Sequence, residues 1–170
     1  SKDQAVESAW SDVLTDYQRR YDLIPNLVAT VQAYAEHETE TFLQVTEART
    51  NATSFVISKE VLDDPESFQK FQTLQGDITA SLSRLLAVSE NYPELKANET
   101  FLSFQSQLEG TENRISVSRK RFNEAVNDYN KYLKYFPNNI IGSMFNFKEK
   151  SYFNLSNQEA ENAPQVNFDK

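Results

Sequence analysis

The stretch FLSFQSQLEGTENRISVSRKRFNEAVNDYNKYLKYF, residues Phe101 to Phe136, decides the fold. Phe101, Leu108, Ile115, Phe122, Tyr129 and Phe136 recur every seven residues. Phe104, Thr111, Ser118, Ala125 and Tyr132 form the neighbouring series. A strict seven-residue repeat keeps one seam of an α-helix turned toward partner helices and implies left-handed supercoiling. At 1.5 Å per residue this helix spans roughly 50 Å, so the domain it builds is elongated. Small residues along it (Gly110, Thr111, Ser118, Ala125) leave room for close approach of another helix, or for bulky partners such as Trp10 and Tyr17. Asn98 suits the N-cap, and Pro137 ends the helix.

Upstream, Asp63-Asp64-Pro65-Glu66 is a helix start: an aspartate cap, proline at the first position and glutamate in the first turn. Phe68, Phe71, Leu74, Ile78, Leu82 and Leu85 then follow the helical period to about Tyr92, where Pro93 stops the helix.

Further back, Trp10, Leu14, Tyr17, Tyr21, Ile24, Val28, Val31, Ala35, Phe42 and Val45 step mostly by threes and fours. Asp3 to Tyr21 reads as a first helix, with Asp16 and Arg20 as an i,i+4 ion pair on its polar side. Pro25 leaves two readings open. Asp22 caps a new helix with Pro25 in its first turn, or one long helix kinks at Pro25. The unbroken apolar phase favours the kink. Closing a four-helix bundle favours the break, which is the reading taken, with a second segment from about Pro25 to Ser58.

The fold class is therefore all-α: an elongated antiparallel four-helix bundle, with the kinked single helix as the alternative for its first two members. Three glycines and five prolines in 170 residues are too few for the turns of an all-β domain. Beyond the last helix, Ile140 to Phe147 and Tyr152-Phe153 are too apolar for a free linker and are expected to pack on the bundle end. The bundle domain is taken as residues 1–153, and 154–170 as a flexible tail.

The net charge of −8 disfavours nucleic acid as a partner, because the one basic run, Arg119-Lys120-Arg121, is soon followed by Glu124 and Asp128. With no cysteine, thiolate metal sites and disulfides are excluded. His37 is the single histidine, flanked by Glu36, Glu38 and Glu40, and a carboxylate-bridged metal pair in a bundle needs two. Three glycines leave no glycine-rich phosphate loop, and no Gly-x-Ser-x-Gly turn is present. No catalytic residue, metal ligand or cofactor site is assigned.

One polar set stands out. Arg19, Arg20, Asp22 and Asn26 lie around the Pro25 joint, and Glu112, Asn113 and Arg114 lie mid-way along the last long helix. Glu38 falls where the series Trp10, Tyr17, Ile24, Val31 lands next, and Arg49 follows Phe42 on the same spacing. Glu38 and Arg49 are eleven residues apart, roughly 16 Å along a helix, so each needs a partner from elsewhere or water. Some of these residues are expected to meet across the bundle as a hydrogen-bonded network that fixes helix register.

Several blocks of the sequence resemble the LemA family: Arg19-Arg20-Tyr21-Asp22-Leu23-Ile24-Pro25-Asn26-Leu27-Val28 with Tyr34-Ala35-Glu36-His37-Glu38 and Thr46-Glu47-Ala48-Arg49, Leu85 to Lys96, Leu108 to Ile115, and Arg121 to Asn130 with Phe136-Pro137. The resemblance implies a helical bundle tied to a membrane by a hydrophobic N-terminal segment upstream of Ser1, and implies no catalytic residue. The function expected is non-enzymatic: a membrane-anchored scaffold or adaptor that binds a protein partner. The rival is a small-ligand binder or enzyme with a pocket between helices, and homo-oligomerisation through a helix face is a third reading.

Overall fold

The computed structural model describes residues 1–135, 138–145 and 147–153. The flexible tail expected at 154–170, and the last heptad position at Phe136 with its Pro137 stop, lie outside the described residues.

Among the described residues six α-helices run in the order α1 (Lys2–Gln32), α2 (Thr39–Ser54), α3 (Pro65–Val88), the single-turn α4 (Pro93–Lys96), α5 (Glu99–Lys134) and α6 (Asn138–Met144). Among the described residues there is no strand, so the fold is all-α, with four long helices. Contacts at three levels set α1 and α5 antiparallel. Asn98 Nδ2 donates to Tyr34 Oη at 2.8 Å, Glu112 pairs with Arg20, and the Phe122 and Trp10 rings lie 5.3 Å apart. α2 runs antiparallel along α3, with Tyr92 donating to Glu38 just beyond one end and the Phe55 and Phe71 rings 6.3 Å apart near the other.

The sequence places the caps as expected. Asp64 accepts from the Glu66 amide at 3.2 Å and from the Ser67 hydroxyl at 2.7 Å, and Asn98 accepts from the Phe101 amide at 2.9 Å. Phe101, Leu108, Ile115, Phe122 and Tyr129 are all buried, so the seven-residue seam of α5 faces the core. Around its lower half sits an aromatic box of Trp10, Phe68, Phe71, Phe122 and Phe153, all buried. Each ring buried there contributes roughly 1.5–3 kcal/mol through removal of apolar area from water.

The break expected at Pro25 does not occur. α1 continues through it to Gln32 as one helix, and the chain turns at 33–38 instead. Ile24, Leu27, Val28 and Val31 are buried on the stripe that begins at Val6, so interrupting the helix would have exposed or misaligned them. The helix ends at Gln32, about one turn before the apolar phase gives out at Glu36-His37-Glu38, and Ala35 in the turn is still buried. α2 accordingly covers Thr39–Ser54 rather than Pro25 to Ser58.

Three smaller expectations are also corrected. Asp16 does not pair with Arg20, whose side chain points into the core. Thr111 and Ser118 are buried, but Gly110 is exposed, and a Cβ built on it would meet nothing within 4 Å, so it permits no close approach. Pro93 does not follow directly on a helix ending near Tyr92. α3 closes at Val88, a 3-10 turn covers Ser89–Asn91, and Pro93 opens α4 in the first-turn position where its missing N–H is tolerated.

Residues 147–153 return along the bundle as a strap between α3 and α5. Asn130 and Lys150 share two bonds, Nδ2 to the Lys150 carbonyl at 3.0 Å and the Lys150 amide to Oδ1 at 2.9 Å. Asn123 and Phe153 repeat the pattern at 3.2 and 2.8 Å. Phe153 thus packs as expected, whereas Tyr152 beside it is exposed, as are Ile140, Ile141 and Met144 of α6 and Phe145 and Phe147 after it.

Candidate functional site

Half-way along the bundle an arginine is buried in its centre. Arg20 is 1% exposed. Its Nη1 donates to Thr79 Oγ1 at 2.9 Å and to Glu112 Oε1 at 3.2 Å. Its Nη2 donates to the Gln75 carbonyl at 3.0 Å and to Gln75 Oε1 at 2.8 Å. The guanidinium lies 5.1 Å from the centre of the Tyr17 ring, a cation–π contact. Gln75 Nε2 in turn donates to the Tyr21 hydroxyl. Such a charge is tolerated in a core because α3 and α5 supply acceptors to both terminal nitrogens, although the buried Nε has no hydrogen-bond partner among the described residues.

Tyr21 sits on both sides of this network. Its hydroxyl is held above the ordinary pKa of 10.0, chiefly by burial, against the opposing effects of the Gln75 hydrogen bond and the Arg20 charge. Its backbone carbonyl is the group that Pro25, four residues on and without an N–H, cannot serve. Arg49 Nε donates to that carbonyl at 3.0 Å. α2 thereby repairs the defect that proline leaves in α1.

Of the polar set read from the sequence, the structure joins Arg20 directly to Glu112 and brings Arg49 to the same stretch of α1. Glu38 lies apart, accepting from Tyr92 Oη at 3.3 Å. Arg19, Asp22, Asn26, Asn113 and Arg114 are exposed. Asp22 accepts from Gln18 at 2.9 Å, and the Asn26 carbonyl accepts from Thr30. Arg19, Asn113 and Arg114 line a shallow surface groove between α1 and α5, with Asp12, Asp16 and Arg121. Sequence reasoning missed Gln75 and Thr79. Gln72 and Gln75 both lie on the apolar stripe between Phe68 and Ile78, and polar residues at those positions were the available signal.

Above the arginine opens a cleft of about 670 Å³ between α3 and α5. Tyr17 and Arg20 line it from α1, Gln75, Thr79, Ser83 and Leu86 from α3, and Leu108, Glu109, Glu112 and Ser116 from α5. Phe153, at the end of the strap, closes one end. The Glu112 side chain is 37% exposed, so its carboxylate faces both the buried guanidinium and the cleft.

A second feature lies beyond the strap. Met144 is 77% exposed and Phe145 70%, and Tyr135, Ile140, Ile141 and Phe147 are also exposed. Together they form an apolar ledge carried by the end of α5 and by α6.

Four long, charged helices around a buried ion pair define an all-α helical domain by architecture. The chain belongs to the LemA family, whose family model matches residues 9–168. It is 28% identical over 152 residues to "Magnetosome protein MamQ 2" of Paramagnetospirillum magneticum, a match covering 80% of this chain and 56% of that protein. It is 30% identical over 78 residues to "Magnetosome protein MamQ" of Magnetospirillum gryphiswaldense, covering 46% of this chain and 29% of the relative. It is 20% identical over 154 residues to "Protein LemA" of Metamycoplasma hominis, covering 91% and 66% respectively. The matched region spans about half the length of the first of these relatives, 56%.

Proposed function

We propose that this domain works by binding a protein partner, as a scaffold or adaptor held at a membrane, rather than by catalysing a reaction. The observation that carries the reading is the apolar ledge. A contiguous set of large apolar side chains, several more than half exposed, is costly to leave in water and marks interaction surfaces. The buried polar cluster supports a structural rather than a chemical role. Arg20 has its two terminal nitrogens taken up by four acceptor atoms besides the second Glu112 oxygen, and Tyr21 keeps its proton to above the ordinary value. The membrane attachment rests on the resemblance to the family, which implies an N-terminal membrane segment. Among the described residues no helix is long and apolar enough to cross a membrane.

The test is crosslinked affinity capture of the full-length protein from its native cell, against a ledge variant, Met144→Ser with Phe145→Ser. A partner recovered with the wild type and lost with the variant supports the reading. Equal recovery with both contradicts it. Formation of a dimer by the purified wild type, lost in the same variant, would replace the adaptor by self-association. The rival reading, a small-ligand pocket, draws on the cleft alone. A small molecule that raises the melting temperature of the wild type but not of a cleft-filling Ser83→Trp variant would favour it.

A further inference from the structure

The strap and the cleft are two parts of one groove. Asn130 and Asn123 are seven residues apart on α5, about 10.5 Å of helix. Lys150 and Phe153, which they hold, are three residues apart, which spans about 10 Å only when the chain is extended. A side-chain amide carries a donor and an acceptor together, so each asparagine pairs with the N–H and the C=O of one residue as a neighbouring strand would. That recognition ignores the identity of the bound side chain. α3 adds a fifth main-chain hydrogen bond, from Gln72 Nε2 to the Tyr152 carbonyl at 3.4 Å.

The same face of α5 continues past Asn123. The next positions at seven-residue spacing are Ser116 and Glu109, and both line the open cleft that begins at Phe153. Ser83 lines it from α3. The groove seats an extended segment along one half of its length, and among the described residues nothing covers the other half. The accessible charge in the open half is acidic: Glu109 is exposed and Glu112 partly so, while Arg20 is buried beneath and bonded to Glu112, and Arg119, the other cation lining the cleft, is buried over the Phe153 ring.

We propose that the open half of this groove docks an extended peptide segment of a partner protein carrying a lysine or arginine that meets Glu109 and Glu112. This surface is separate from the apolar ledge, so the two assignments stand or fall independently. The strap favours an extended occupant over a helical one, because the walls between α3 and α5 already accept a single chain. The charge favours a cationic one over an anionic one.

The test is selection of a random-peptide phage library on the 170-residue chain. The expected result is a set of peptides sharing one basic position, whose binding falls at least tenfold with Glu109→Lys and with Ser83→Trp and is unchanged in the ledge variant. Glu109 is exposed, so its substitution reads binding even where Ser83→Trp disturbs folding, which circular dichroism reports. The chain has no cysteine, so Ser116→Cys supplies a single thiol inside the groove. A bound peptide should slow its alkylation at least fivefold. Three outcomes overturn the proposal. The first is a selection that enriches nothing. The second is peptide binding that neither cleft substitution alters. The third is a thiol at 116 already protected without peptide, which would assign the groove to the chain's own residues beyond 153.

Discussion

Arg49 donates from Nε to the carbonyl of Tyr21 at 3.0 Å, the hydrogen bond that Pro25 is unable to make. A proline inside a helix is tolerated where another group serves the carbonyl four residues before it, and here a second helix supplies that group. The pair ties α1 to α2 at the point where α1 is weakest.

This relationship predicts coupling between two distant positions in the sequence. Arg49→Met should destabilise the domain by about 1–2 kcal/mol, because it leaves a carbonyl unserved. In a Pro25→Ala background the restored amide can serve Tyr21, and the same substitution should cost less than half as much. Urea denaturation of the four proteins in a double-mutant cycle measures the coupling, and strict additivity would contradict it.

The joint also shows where the sequence stops being legible. The apolar phase through Pro25 was visible, but the residue that rescues the helix lies 28 positions away. Only the pairing of α1 with α2 brings it there. By contrast the seam of α5, the Asp64-Pro65 start and the Asn98 cap depend on neighbours in the chain, and they were readable. Arg20 and Glu112 could be singled out as charges beside apolar seams, whereas their partners Gln75 and Thr79 depend on the register of α3 against α1. The strap had no period to read, since its hold comes from Asn123 and Asn130 on another element.

Loss of Glu112 should expose the cost of the buried guanidinium. Glu112→Ala leaves Arg20 charged in the core with only neutral acceptors. Removing one partner of a buried pair costs about 3–5 kcal/mol, and the partial exposure of Glu112 lowers the expectation here to about 2–3 kcal/mol. A double variant, Arg20→Met with Glu112→Leu, should recover part of that loss. Equilibrium unfolding in urea tests both, and a single-variant loss below about 0.5 kcal/mol would show that the pair does not support the fold.

The strap should report through the one tryptophan. Phe153 lies 6.1 Å from Trp10, ring centre to ring centre, within the aromatic box. Phe153→Ala should cost about 3 kcal/mol and shift Trp10 emission to the red as water reaches the box. Asn123→Ala removes both bonds to the Phe153 backbone and should produce a smaller shift in the same direction. Unchanged emission in both variants would mean the strap does not seal the core.

Alkali should weaken the fold from about pH 10. Burial lowers the pKa of the Lys150 ammonium, but the hydrogen bond and charge of Asp63, with Asp3 and Tyr129, outweigh it and hold the group above its ordinary 10.5. Tyr129 and Tyr21 are both raised above 10.0, chiefly by burial. In each case the folded state holds its proton more tightly than the unfolded chain. The stabilisation is complete below the unfolded value and is lost as pH rises through the folded one. Melting temperatures should therefore fall between about pH 10 and 12, and Tyr129→Phe should make the fall shallower. A flat profile across that range would contradict the assignment.

The most direct test of the central claim is crosslinked capture of the full-length protein from its own cell, wild type beside the Met144→Ser, Phe145→Ser ledge variant. A binding domain predicts one reproducible partner that the wild type retains and the variant loses, with the melting temperature of the domain unchanged. The same proteins recovered with both would contradict binding through the ledge, and none above background with either would contradict a binding domain.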